Sequence, residues 1–493
     1  MSCENTLVYK IATISSEVHR MDELKYNLKE SLAELDKLFD LSAKEIDQTA
    51  CEALAEKARI FYEQYPESED IALRYANILF NFSINQTELK ELGATVEKLQ
   101  KLQQQFHDSH DIALPYARIL FNLSTEQTEL KELETTAEKL QVVQQHFPDS
   151  PDIAEALARI LVNLSVEQVN VEEIGKTVNS VKQIFEQFKQ SEEIALQYTK
   201  ALVNLSAEQI NVEELGETVN SVKQTFEQFK QSEEIALRYA MALVNLSTEQ
   251  INVEELGKTV NSVKQIFEQF KQSEEIALRY AKALFNLSVE QVNVDEIGKT
   301  VNSVKQIFEQ FKQSENIALQ YSMALVNLSA KQVNVDEIGE TVNSIQQIFE
   351  QFKQPENIAL QYSMALVNLS LEQTNLDKLN DTASKLKKIA LSFEKNEDIT
   401  LYYAEALAKI ITKQQNEDEK LEIIDKLKRL HDRFVQSEEI TVQYLTARMD
   451  LVKNNQIDKS NLLNDIYQSL ESIPSIKILN MLIEILENEE QFK

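Results

Sequence analysis

Eight asparagines fall at one spacing: Asn81, Asn122, Asn163, Asn204, Asn245, Asn286, Asn327 and Asn368 each open an Asn-x-Ser triplet, and every step is 41 residues. A carboxamide carries both a donor and an acceptor, so a row of them can hydrogen-bond an extended peptide's backbone without demanding a sequence. The residue four places earlier varies, running Asn77, Arg118, Arg159, Lys200, Met241, Lys282, Met323, Met364. Within that column Arg118, Arg159 and Lys200 make a basic stretch suited to an acidic segment of a partner. These asparagines and cations are the candidate peptide-binding residues. A plainer role competes for the asparagines, because Asn is common where helices end and tolerates left-handed backbone.

Catalytic chemistry finds no constellation. The five histidines (His19, His107, His110, His146, His431) are scattered, and the neighbours His107 and His110 lack a third ligand. Cys3 and Cys51 are too few for a disulfide framework or a structural zinc site. There is no Gly-rich phosphate loop, no His-Glu-x-x-His and no Cys–His pairing. Glu pairs stand at helix starts, where they complement the positive end of the helix dipole. The chain is therefore expected not to be an enzyme and to need no cofactor or metal.

Charge narrows the partners. The 493 residues carry a formal net charge of −31, a surface that repels phosphates, so nucleic-acid binding is disfavoured. No stretch approaches the roughly 18 apolar residues of a membrane span. The opening Met-Ser-Cys-Glu-Asn-Thr-Leu has neither the basic start nor the apolar core of a secretory signal. The expected location is cytoplasmic, and the Asn-x-Ser triplets are then not glycosylation sites.

The elements that must position these residues follow from the same period. A fixed repeat of 20–50 residues marks a solenoid or propeller. In the unit 232–272, Ser232 precedes Glu-Glu and then Ile235, Ala236, Tyr239, Ala240 and Leu243 at helical spacing, a helix (A) with a serine N-cap. After Asn245 comes a short polar link. Asn252 then caps a second helix (B), whose apolar positions are Val253, Leu256, Val260, Val263, Phe267 and Phe270, with Ile251 placed to pack on Leu256 as a hydrophobic staple. One tyrosine column (Tyr75 to Tyr444, with Leu157 the replacement) and one aromatic column ending helix B (Tyr65, then Phe106 to Phe434) are expected to be core, with Phe270 an anchor. The six glycines share one column in helix B; close packing would explain them, but Glu134 and Asn380 fill the same column, so such a contact is not obligatory.

The fold expected is all-α, a right-handed α-solenoid of about ten helix–turn–helix repeats of 41 residues. Residues 1–26 are expected to cap its start, 27–472 to form the array, and 473–493 to form a capping helix. In that last helix Ile476, Leu479, Ile483 and Leu486 make one apolar stripe and Ile478, Leu482 and Ile485 another. Two stripes exceed what a solvated cap needs: either the preceding helices bury both, or one of them joins a second copy in a homodimer.

The segment Phe147-Pro148 through Ala154, Leu157, Ala158 and Leu161 resembles the junction between tetratricopeptide (TPR) repeats, and Tyr65-Pro66 repeats it. The resemblance spans about residues 27–472. It departs from the family in length, since that family's unit has 34 residues; the extra seven are expected in the A–B link and a longer helix B. The resemblance implies a protein- or peptide-binding scaffold using a concave face lined by helix A, here Leu237, Met241, Val244 and Asn245 with their equivalents. A structural or self-assembling protein, or an acidic inhibitor imitating nucleic acid, are the alternatives.

Overall fold

The computed structural model describes residues 27–44, 48–84, 86, 88–453 and 459–487, and among them it contains twenty-three helices and no strand. The expected cap at 1–26 lies outside the described residues. The chain divides into two compact units, Met1–Glu249 and Gln250–Lys493. In the first, B helices begin at Gln48, Leu89, Leu130, Val171 and Val212, and A helices at Glu69, His110, Pro151, Glu192 and Glu233, after an opening helix Leu28–Ser42. In the second, B helices begin at Val253, Val294, Val335, Leu376 and Glu417, and A helices at Glu274, Glu315, Glu356, Glu397 and Glu438. Lys459–Ser472 and Ile476–Glu487 follow. Each unit is an α-solenoid, a run of stacked helical hairpins.

Capping sets the helix starts. The Ser191, Ser273 and Ser314 side chains accept from the backbone N–H three residues on, at 3.3, 3.5 and 3.4 Å. At the B helices Asn211, Asn293 and Asn334 each accept from two first-turn amides. Both caps satisfy donors a helix cannot satisfy itself. The staple is not made: Leu256 is fully buried, but Ile251 is 80% exposed. The extended N′ residue points out of the hairpin.

Helix A also runs further than its sequence suggests. Glu192–Glu208 passes Asn204 by a full turn, and only three residues separate it from Val212–Gln228. The extra length of the repeat therefore lies in two seventeen-residue helices and not in the link.

Within each unit the A helices pack against one another and against B helices. The residues that make this possible are small and wholly buried, among them Ala117, Ala158, Thr199 and Ala240 in the first unit and Ala281, Ser322 and Ser363 in the second. The tyrosine column is core as expected, from Tyr116 at 2% exposure to Tyr280 at 7%. Burial pushes the phenols of Tyr280, Tyr321 and Tyr362 up to about 12.

The aromatic column ending helix B is different. Phe188, Phe229, Phe270, Phe311 and Phe352 are half-buried at the C-cap, so Phe270 is not the fully buried anchor expected. The residue three places earlier is the tyrosine's partner: Phe185, Phe226, Phe267, Phe308 and Phe349 lie 5.3–5.7 Å from Tyr198, Tyr239, Tyr280, Tyr321 and Tyr362. The C-cap phenylalanines rest on that second column, Phe311 on Phe267 at 6.5 Å and Phe352 on Phe308 at 6.3 Å.

Close packing does not account for the glycines. A Cβ built at Gly93, Gly175, Gly216, Gly257, Gly298 or Gly339 meets nothing within 4 Å, and none has a positive φ. Glycine in a helix interior costs about 1 kcal/mol against alanine. Gly257→Ala, Gly298→Ala and Gly339→Ala together are therefore expected to raise stability by about 2–3 kcal/mol, read as a higher urea midpoint; an unchanged or lower midpoint contradicts this.

Candidate functional site

All eight asparagines occupy one half-buried position on their A helices, as do Arg159 and Lys200 one turn earlier, while Arg118 is exposed. The structure gives the amides a use that neither sequence-based expectation contained. In the first unit Asn81, Asn163, Asn204 and Asn245 donate through Nδ2 to the hydroxyls of Ser42, Ser124, Ser165 and Ser206, at 2.8–3.0 Å. In the second, Asn327 and Asn368 donate to Ser288 and Ser329 at 3.0 and 2.9 Å. Each serine lies 39 residues back, in the preceding repeat. Its own hydroxyl donates to the carbonyl three residues before it: Ser165 to Val162 and Ser206 to Val203, both at 2.7 Å. The triplet thus faces two ways, its Asn reaching back and its Ser receiving from the next repeat. Asn122 and Asn286 stand at the same register. The asparagines are not helix caps, since the A helices continue beyond them.

Two further polar columns passed unnoticed in the sequence. Thr177, Thr218, Thr300, Thr341 and Thr382 on the B helices donate to the Oε1 of Gln168, Gln209, Gln291, Gln332 and Gln373, at 2.8–3.0 Å, fastening each link to its own B helix. At the other edge, Gln105, Gln187 and Gln351 donate to the backbone carbonyls of Pro66, Pro148 and Lys312 in the preceding repeat, at 2.7–2.8 Å. The signal available was the unbroken glutamine of the polar link, present from Gln86 to Gln414 in nine successive copies.

The cations collect on the A-helix face of the first unit. Arg118 and Arg159 line a cleft of ≈ 230 Å³ with Phe121, Asp152, Glu155 and Ala156. The Arg159 guanidinium sits 5.2 Å over the Phe121 ring and pairs with Glu155 at 2.6 Å. Lys200 is less well compensated. Burial lowers its pKa first, then the like charges of Arg238 and Arg159, with Glu234 acting against them. In the second unit Lys282, Met323 and Met364 hold this position, all half-buried.

Elsewhere the structure regroups the histidines. His146 comes beside His107, ring centroids 5.7 Å apart, and both reach Asp108, at 3.0 and 3.3 Å. Among the described residues, no group of three or more His, Cys, Asp or Glu could hold a metal ion, and no helix is long and apolar enough to cross a membrane. In the last helix Ile478 and Ile485 are fully buried, whereas Ile476, Leu479, Ile483 and Leu486 are 41–77% exposed.

The stacking of these hairpins defines the class, an all-helical repeat protein of the α-solenoid kind. No protein-family model matches the sequence, and no curated protein does. Solved structures similar to it include a chain from work on a phosphorylation switch controlling the interaction between cadherin and beta-catenin, 13% identical over 96% of this chain and 99% of that one, TM-score 0.46. Others are a chain of Naa15/Naa10 bound to HypK-THB, 12% identical over 92% and 68%, TM-score 0.31, and a monomeric IFIT1 mutant with m7Gppp-AAAA, 10% identical over 94% and 93%, TM-score 0.26.

Because the amides join repeats, Asn163→Ala, Asn204→Ala and Asn245→Ala each remove one inter-repeat hydrogen bond, worth about 1 kcal/mol. The triple variant is expected to melt several degrees lower, with hydrogen exchange accelerated in the first unit. An unchanged melting temperature would sink the structural role.

Proposed function

We propose that the chain is a non-enzymatic protein-binding scaffold, and that the A-helix face of its first unit takes an acidic peptide segment. The observation that carries this is the cationic group Arg159, Lys200 and Arg238, gathered on one face of a chain whose net charge is −31. Burial and the like charges beside it disfavour the charged form of Lys200, so this half-buried cation gains from an added carboxylate. Arg118 extends the row. The asparagines contribute second: Nδ2 has a further N–H and Oδ1 is an acceptor, so an amide that holds the preceding repeat can also meet a peptide backbone. The 27–472 array is the scaffold, and catalysis, nucleic acid and membrane have no part in this reading. A cytoplasmic location fits it.

The test uses a labelled oligoglutamate peptide and fluorescence anisotropy at low salt. Wild-type protein should bind it, and added salt should weaken binding. Arg118→Gln, Arg159→Gln and Lys200→Gln together should reduce affinity about tenfold or more, with a circular dichroism melt checking that the fold is kept. No binding by the wild type, or equal binding by the triple variant, refutes the site.

A second reading concerns self-association. The four exposed residues of helix Ile476–Glu487 form one stripe beside its buried stripe, and two such stripes from two copies can cover each other. Light scattering of the full-length chain should report a dimer at tens of micromolar that Leu479→Glu with Ile483→Glu converts to a monomer. A wild-type monomer at that concentration ends this reading.

A further inference from the structure

The residue just before the Asn cap of helix B is apolar in five consecutive repeats, and the fold buries none of them. In the first unit Val169 is 87% exposed and Ile210 79%. In the second, Ile251 is 80% exposed and Val292 and Val333 81% each. Each is β-branched, which suits the extended backbone before an N-cap. Backbone preference does not demand apolarity, however, because Thr128 and Thr374 fill the same place in outer repeats and are equally exposed. Threonine keeps the branched shape and the helix start. The valines and isoleucines leave five large apolar side chains in water for no gain the fold supplies.

Within the second unit these residues form a row along the edge of the stack. Ile251, Val292 and Val333 stand on successive links, and Val289 and Leu371, at the ends of A helices, add exposed apolar surface at 49% and 55%. Packed helices lie about 8–10 Å apart, which sets the step between one link and the next. Immediately beyond the row come the acidic first turns of the B helices: Glu254 and Glu255, Asp295 and Glu296, Asp336 and Glu337, all exposed. Only Glu254 among these is engaged by a lysine of its own helix, Lys258 at 2.9 Å, among the described residues.

We infer that this edge of the second unit is a docking surface for an amphipathic helix with an apolar stripe flanked by lysine or arginine. Two features select that occupant. In an α-helix every seventh residue recurs on one face after about 10.5 Å, close to the step between links, so one stripe can meet Ile251, Val292 and Val333 in turn. The acidic rim attracts basic flanks and repels a second copy of the same rim, as it would an anionic membrane. The surface is separate from the basic A-helix face of the first unit, which takes a ligand of opposite charge.

The probe is a labelled synthetic helix of about 21 residues with leucine at every seventh position, lysine beside each leucine and alanine elsewhere. Its affinity for the full-length chain is compared with that for Ile251→Ser/Val292→Ser/Val333→Ser. The three side chains are about four-fifths exposed, so the variant should melt like the wild type, which the circular dichroism melt checks. The expected result is a loss of about tenfold or more in affinity, matched when the probe's leucines are changed to serine. Equal affinity for the variant, or for the leucine-free probe, would overturn the proposal by leaving charge alone as the cause. A full-length dimer in light scattering that the triple variant abolishes would also overturn it, since the occupant would then be a second copy.

Discussion

A hairpin of two seventeen-residue helices has more apolar surface than it can cover by itself. Helix A, flanked by B helices and other A helices, must find cover in the next repeat, and everything else in the chain adapts to that need. Tyr198 is buried because Phe185, from the preceding B helix, lies 5.3 Å away. The small residue that follows the tyrosine lets the helices approach. Dispersion and burial are non-directional, however, and would tolerate sliding of one hairpin along another. The hydrogen bonds across 39 residues do not: Asn204 must meet Ser165 at the A row while Gln187 meets Pro148 at the far edge. Apolar burial holds the repeats together, and these polar contacts set where they stop.

That division of labour explains the invariance of the period. A one-residue insertion in the three-residue link or the short B–A turn would displace an Asn from its Ser and a Gln from its carbonyl together. It would also leave the serine hydroxyl, 2% exposed at Ser165 and Ser206, without the amide that donates to it. Burying polar groups with unmet hydrogen bonds costs more than the bonds themselves contribute.

The sequence exposed what depends on local chemistry. Helical spacing, the Ser and Asn caps and the buried tyrosines could all be read because each is decided within one or two helix turns. It concealed what depends on superposition of repeats. Asn and Ser stand two residues apart, so they look like one local motif, yet their bond is to copies in neighbouring repeats. The beginning of the array held the clue: Asp40-Leu41-Ser42 keeps the serine without the asparagine, and Ser42 is the residue that Asn81 uses. The aromatic column was misjudged for a related reason. Phe270 and Phe267 both suit the apolar face of one helix, and only the position of the following helix decides which is covered. Ile251 failed as a staple because Leu256 is already wholly covered within the stack, which leaves Ile251 in solvent.

A repeat protein that spends the same residues on the same contacts in every copy can express difference only where the contacts leave a column free. The tyrosine, the small residue after it, the Asn-x-Ser pair and the link glutamine barely change along the array, because each is answered by a neighbour. Two columns escape that constraint. Four residues before the asparagine, side chains run Arg118, Arg159, Lys200 and Met241 in the first unit and Lys282, Met323 and Met364 in the second, with no change in the helix beneath them. Before the B-helix cap, threonine gives way to isoleucine and valine at positions about four-fifths exposed. Near-identical repeats would be expected to present one surface monotonously. In these two columns the chain varies its chemistry without disturbing its frame.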